Sequence, residues 1–220
     1  YKKRTRLEEI RSWNDVMYIP TLDEKFYDQS INLDITNRCP LQCPACLRQS
    51  LLYNKNRKLY KEMTTDEIIK IAKTFPSVAF CGQQSDPLCH PDILDFIWIA
   101  GSVKLEIHTA TSHKNKEFYK EAFNRSRKRV TWIFGLDGLP EDSCKYRVNQ
   151  DGVHLFEMMK MGSKMGVNIV WQYIVFKYNQ NNIEQSKQMA KDYNMEFRLS
   201  KSSRWQGRMI HMKPEEFYCA

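Results

Sequence analysis

From residue 31 onward, short apolar runs rich in β-formers alternate with helix-like segments, and few folds accommodate that order. The predicted strands are Ile31 to Thr36, Val78 to Cys81, Lys104 to Thr109, Val130 to Asp137, Asn168 to Phe176 and Glu196 to Leu199. Between them lie predicted helices at Thr65 to Thr74, with Thr64 as N-cap, at Asp92 to Ala100 behind Pro91, and at Asn115 to Asn124, Gly152 to Met165 and Ile183 to Tyr193. Ile68, Ile69 and Ala72 share one helical face, as do Leu155, Met158 and Met159, so these methionines read as core packing. Strands joined through helices run parallel, and six of them make a curved sheet that need not close. The expected fold class is α/β, a partial (β/α)6 TIM-like barrel with parallel strands and a lateral mouth. Its expected extent is 31–205, after an N-terminal extension over 1–30.

In such sheets function collects at the carboxyl ends of the strands. The first strand runs straight into Cys39-Pro-Leu-Gln-Cys43-Pro-Ala-Cys46, a CxxxCxxC loop that therefore lies on that rim. A structural zinc site wants four ligands, whereas an iron–sulfur cubane held by three cysteines leaves one iron open to a small ligand. The spacing favours the cluster. Its rival is a non-catalytic module in which Cys39, Cys43 and Cys46 hold zinc with His90 or Cys89 as fourth ligand, and a basic surface docks on nucleic acid. Cys81, Cys89 and Cys144 have no motif spacing and read as packing residues.

A chain of 220 residues that is 42% hydrophobic and 12% aromatic has ample material for a core, which excludes a disordered protein. No apolar run reaches the length of a membrane span, and the start, Tyr-Lys-Lys-Arg-Thr-Arg, lacks the apolar stretch of a signal peptide. The cysteine count is odd, at seven, with three in a ligand-like cluster. Both points indicate a reducing compartment, and cytoplasm is the default expectation. The chain opens on Tyr rather than Met and stops after Cys219, so residues are expected to be missing at one or both ends. Formal net charge is +8, dense at Lys2 to Arg6, Lys55 to Lys61 and Lys114 to Arg129. That balance suits either a solvated surface or attraction to nucleic acid or another anionic partner.

The cysteine loop after a first strand resembles the hallmark of the radical S-adenosylmethionine (radical SAM) superfamily. The loop from Gly82 to Pro91, with Asp86-Pro87 and His90-Pro91, is similar to the family's Gly-Gly-Glu-Pro turn and following helix start, with Gln84 and Ser85 where small residues are usual. The resemblance implies that carbonyls of this loop and Asp86 receive the amino group of S-adenosylmethionine. It implies further that Thr109 and Ser112 at the third strand end bond the ribose, although Ala110 and Thr111 replace the usual Asn and Gly. Asp137, in Gly135-Leu136-Asp137-Gly138, is the polar candidate at the fourth strand end. The resemblance further implies Arg147 as the partner for the cofactor carboxylate, a surface salt bridge being its alternative role, Asn179 as a rim hydrogen-bonding group, and the apolar end of the fifth strand as a surface for adenine.

The combination also resembles a phage and environmental subgroup related to SPASM- and twitch-containing members. That likeness makes 206–220 the start of a truncated C-terminal extension, with Cys219 either the first ligand of an auxiliary iron–sulfur cluster or a free or structural thiol. The implied activity is reductive cleavage of S-adenosylmethionine by a 4Fe-4S cluster, giving a deoxyadenosyl radical that abstracts hydrogen from substrate. The implied partners are S-adenosylmethionine and a reductant such as flavodoxin or ferredoxin, with a peptide, protein, nucleotide or nucleic acid as substrate. No residue stands out as a catalytic acid or base.

Overall fold

The structure is a computed structural model and describes residues 29–49, 62–83, 85–126, 128–203 and 205–218. Most of the expected N-terminal extension, the basic runs Lys2 to Arg6 and Lys55 to Lys61, Gln84 and Cys219 lie outside the described residues. Six strands form one sheet in sequential order: β1 Ser30–Leu33, β2 Ser77–Phe80, β3 Lys104–Thr109, β4 Val130–Gly135, β5 Asn168–Ile174 and β6 Glu196–Ser200. Every neighbouring pair is parallel. The crossovers carry α1 Thr65–Thr74, α2 Ile93–Ala100, α3 Lys116–Arg125, α4 Gly152–Lys164 and α5 Ile183–Asp192. The α/β class and the parallel six-stranded order therefore agree with the sequence expectation.

The helix starts follow local chemistry. Thr64 caps α1 in a full capping box with Glu67, and the side chains of Asn115 and Asp151 cap α3 and α4. Asp92 precedes α2 without making a side-chain cap, so that helix begins one residue later than Pro91 suggests.

Several strands end earlier than their apolar runs. β4 stops at Gly135 because the Asp137 carboxylate, rather than a backbone carbonyl, accepts the Ile174 N–H at 2.8 Å. β5 stops at Ile174 because Asn179 folds back, its Oδ1 accepting from Phe176 N at 2.7 Å and its Nδ2 donating to the Ile174 carbonyl at 3.0 Å. Polar side chains thus replace the ladder where the strands reach the rim.

Alternation divides the sheet. Val78 and Phe80, Leu105 and Ile107, Trp132 and Phe134, and Trp171 and Tyr173 point into the core shared with the helices, where all eight are at most 1% exposed. Phe123 meets Trp132 edge-on and Trp132 stacks on Phe134. Each such buried side chain contributes on the order of 2–3 kcal/mol. The two central tryptophans also bond their indole N–H, Trp132 to Ser126 Oγ and Trp171 to the Leu136 carbonyl. Met158 and Met159 are core residues, as their spacing predicts. Cys144 is not: it is exposed in the 3-10 turn Ser143–Lys145, where Ser143 takes the inward position.

Candidate functional site

The cysteine loop is sewn to its neighbours through the backbone. Asp86 N donates to the Arg38 carbonyl at 2.9 Å, which ties the loop to the segment after β2. Gln42 N donates to the Val148 carbonyl and Asn149 Nδ2 to that of Pro40, which ties it to the segment after β4. Asn149 adopts φ 74°, a left-handed conformation that Asn tolerates better than most residues. Within the loop, Cys46 N closes a turn on the Cys43 carbonyl.

The three thiols are free and half-buried. Burial, and then the Asp86 carboxylate, push the Cys39 thiol up to about 12. Burial also raises Cys43, and the Arg147 guanidinium is the main influence opposing it. Among the described residues, no group of three His, Cys, Asp or Glu side chains is drawn together tightly enough to enclose a metal ion. The donor set nevertheless suits an iron–sulfur cluster in kind: three unpaired thiols on one anchored loop, with a fixed cation beside one of them to favour its thiolate. His90 does not suit the zinc alternative. Its Nε2 bonds the Met63 carbonyl, its Nδ1 accepts from Asp92 N, and its ring packs on Phe96.

Asp86 is 3% exposed and saturated. Its carboxylate accepts from Leu88 N, from Thr109 Oγ1, from Ala110 N and Thr111 N, and from Thr111 Oγ1. Burial raises its pKa and these bonds oppose the shift. Asp86 thus caps the 3-10 turn Pro87–Cys89 and clamps the end of β3 to the loop after β2. Thr109 is drawn into the same clamp. Gly82 is obligatory there, since a Cβ would lie 2.2 Å from the Ser85 carbonyl oxygen. Ser112 Oγ accepts from Asp151 N at 2.7 Å and keeps its own proton to donate.

Asp137 and Arg147, separate candidates in the sequence, form one buried ion pair with Nε 2.7 Å from Oδ2. Gly135 gives the guanidinium its place: a Cβ there would stand 2.6 Å from Nη2. Asn179 is fully buried, and all of its side-chain bonds hold the exit of β5.

A cavity of about 440 Å³ opens beside the cysteine loop; sequence reasoning reached its Ile174 and Phe176 edge, as the apolar end of the fifth strand, and missed the rest. Tyr146, Phe176 and Trp205 form its aromatic wall, Gln172 and Ser200 supply polar groups, and Ala45 of the cysteine loop closes one side. The Trp205 indole N–H is buried without a partner among the described residues. Of residues 206–218, expected to open an extension, the 3-10 turn Gly207–Met212 packs back here with Met209 in the same cluster, whereas in the turn Glu216–Tyr218 Tyr218 packs against the main core and Phe217 is exposed. Tyr146 and Trp205 lie far apart in sequence with no periodicity to link them, so only folding reveals the wall.

No protein-family model matches the chain, and no curated protein matches it in sequence. Its fold is that of several solved structures. Streptococcus suis SuiB bound to S-adenosylmethionine superposes with TM-score 0.66 at 14% identity, over 86% of this chain and 44% of that one. SuiB bound to the precursor peptide SuiA gives 0.61 at 14% identity, over 79% and 39%. Methylornithine synthase (PylB) gives 0.57 at 14% identity, over 78% and 52%. The chain thus spans about half the length of these proteins or less, and at this identity the likeness defines the fold. Among the described residues no helix is long and apolar enough to cross a membrane.

Proposed function

We propose that this chain is a radical SAM enzyme, with Cys39, Cys43 and Cys46 holding a 4Fe-4S cluster and the adjoining rim holding S-adenosylmethionine. The observation that carries this reading is the shared wall: Ala45, between two of the cysteines, lines a cavity of nucleoside-compatible size walled by three aromatics. Two structures of the same fold add support, since one holds S-adenosylmethionine and another a precursor peptide. When bound, the cluster would supply the single electron that breaks the sulfonium carbon–sulfur bond of S-adenosylmethionine, giving methionine and a deoxyadenosyl radical.

The chain's own residues then have distinct tasks. Phe176, Tyr146 and Trp205 receive the adenine, with Ser112 donating to the ribose. Arg147, whose Nε is taken by Asp137, offers its remaining N–H groups to the cofactor carboxylate. Asp86 works through the backbone, fixing the loop from Gly82 so that its carbonyls meet the ammonium. Asn179 holds Phe176 in the aromatic wall. A flavodoxin- or ferredoxin-type reductant and a reducing, cytoplasmic setting complete the proposal.

Anaerobic reconstitution with iron and sulfide tests it. The expected result is cluster absorbance, binding of S-adenosylmethionine, and release of deoxyadenosine on reduction. A chain that takes up one zinc instead and leaves S-adenosylmethionine intact overturns it.

A further inference from the structure

Trp132 and Trp171, both fully buried, place their indole N–H on Ser126 Oγ at 2.9 Å and on the Leu136 carbonyl at 2.7 Å. Trp205 breaks that pattern: it is 8% exposed, and its indole N–H finds no acceptor among the described residues. An indole nitrogen donates and cannot accept, so burial without an acceptor strips its hydration and returns nothing. Buried groups of this kind are rare in folded proteins and call for a specific explanation.

The donor is held in place. Trp205 N donates to the Ser203 carbonyl at 3.0 Å, and the ring meets Phe176 edge-on, with centroids 5.6 Å apart and planes at 89°. The turn Gly207–Met212 that follows is tied to the exit of β5, where Lys177 N donates to the Met212 carbonyl at 3.0 Å, and Met209 is buried in the same cluster as the indole. Trp205 is also a wall of the 440 Å³ cavity beside the cysteine loop, together with Ala45, Tyr146, Phe176 and Met209. None of these neighbours accepts from it, so the missing acceptor has to arrive with whatever fills the cavity.

We infer that Trp205 Nε1 donates to a ring nitrogen of the adenine, and that this bond is how the cavity reads the edge of the base. The inference rests on the cofactor reading for the identity of the occupant. Adenine answers both features of the wall: its faces pack on aromatic rings, and N1, N3 and N7 each carry an in-plane lone pair and no proton. A base lying against Phe176 leaves its edge, where those lone pairs project, open to a donor at the side, and Trp205 stands at right angles to Phe176. The desolvation of the indole N–H is already incurred in folding, so the new bond adds to affinity without a further cost on the protein's side.

The test is calorimetric binding of adenosine, 1-deazaadenosine, 3-deazaadenosine and 7-deazaadenosine to the full chain, with and without reconstituted cluster. The expected result is that one deaza analogue binds about tenfold weaker than adenosine, as the loss of one acceptor opposite a buried donor implies, while the other two bind like it. Trp205→Phe should close that gap by weakening adenosine to the level of the sensitive analogue. In nitrogen-15 spectra, the indole signal that is missing from Trp205→Phe should move downfield with adenosine and stay in place with the sensitive analogue. Absence of adenosine binding, equal binding of all four nucleosides to the wild type, or a gap that persists in Trp205→Phe overturns the inference. Equal binding in a chain that still cleaves S-adenosylmethionine leaves the cofactor reading standing without it, whereas the expected gap in a chain that forms no cluster supports the base contact while refuting the cofactor reading.

Discussion

Arg147 Nε stands 2.7 Å from Asp137 Oδ2 in a pair that is almost wholly buried, and the same guanidinium eases the charge of the Cys43 thiolate. One residue therefore links a structural ion pair to the proposed metal loop. Removing either partner leaves an uncompensated buried charge, so Arg147→Met or Asp137→Leu should each cost about 3–5 kcal/mol in chemical denaturation. Gly135→Ala should also be destabilising, because its Cβ would press on the guanidinium. If Arg147→Met unfolds at the wild-type denaturant concentration, the pair has no such weight.

The thiols divide by position. Replacing Cys39, Cys43 or Cys46 by Ala should each abolish the full iron complement after reconstitution, while Cys144→Ala, exposed and outside the motif, leaves it unchanged. Iron and sulfide analysis decides the matter. A Cys43→Ala protein with wild-type iron removes the motif from the site.

The aromatic wall should govern cofactor binding. Phe176→Ala and Trp205→Ala each remove ring contact, and stacked rings contribute about 0.5–1.5 kcal/mol beyond their buried area. S-adenosylmethionine affinity should fall about tenfold or more in each. Trp205→Phe separates ring from indole N–H: retention of most of the affinity would show that stacking dominates.

Asp86 should behave as an anchor. Asp86→Ala strands the buried donors of Leu88, Thr109, Ala110 and Thr111, a loss of about 3 kcal/mol or more. Amide hydrogen exchange at Ala110 and Thr111 should accelerate in that variant. Unchanged protection at both amides would place the clamp elsewhere.

Acid should loosen the loop before α2. His90 is neutral in the fold, its pKa lowered from the ordinary 6.5 chiefly by burial, and its Nδ1 accepts from Asp92 N. The unfolded chain then binds more protons, so this contribution is complete above pH 6.5 and is lost as pH falls through the lowered value. His90→Gln should flatten that loss in urea titrations at stepped pH. An identical pH dependence in variant and wild type would remove His90 as its source.

Much of this arrangement is legible along the chain. The apolar runs, capping residues and cysteine spacing are local signals, and they locate all five helix starts to within a residue and the strand ends to within three. The site candidates were legible as residues but not as roles. Asp86, Thr109 and Asn179 sit at strand ends, where ligand groups belong, yet each spends its hydrogen-bonding capacity on the protein. Asp137 and Arg147 were two expectations and are one ion pair. A polar residue near a rim satisfies a ligand or a backbone with the same atoms, and only its neighbours tell which.

By itself the sequence determined the order of parallel strands and helices and the loop that carries Cys39, Cys43 and Cys46, because helix and strand periodicity and motif spacing act over a few residues. Tertiary structure alone decided the wall that joins Tyr146, Phe176 and Trp205, and the single ion pair that joins Asp137 to Arg147. Those groupings depend on how far a parallel sheet curves and where its loops return. That curvature comes from the packing of the whole helical layer, which no short segment encodes.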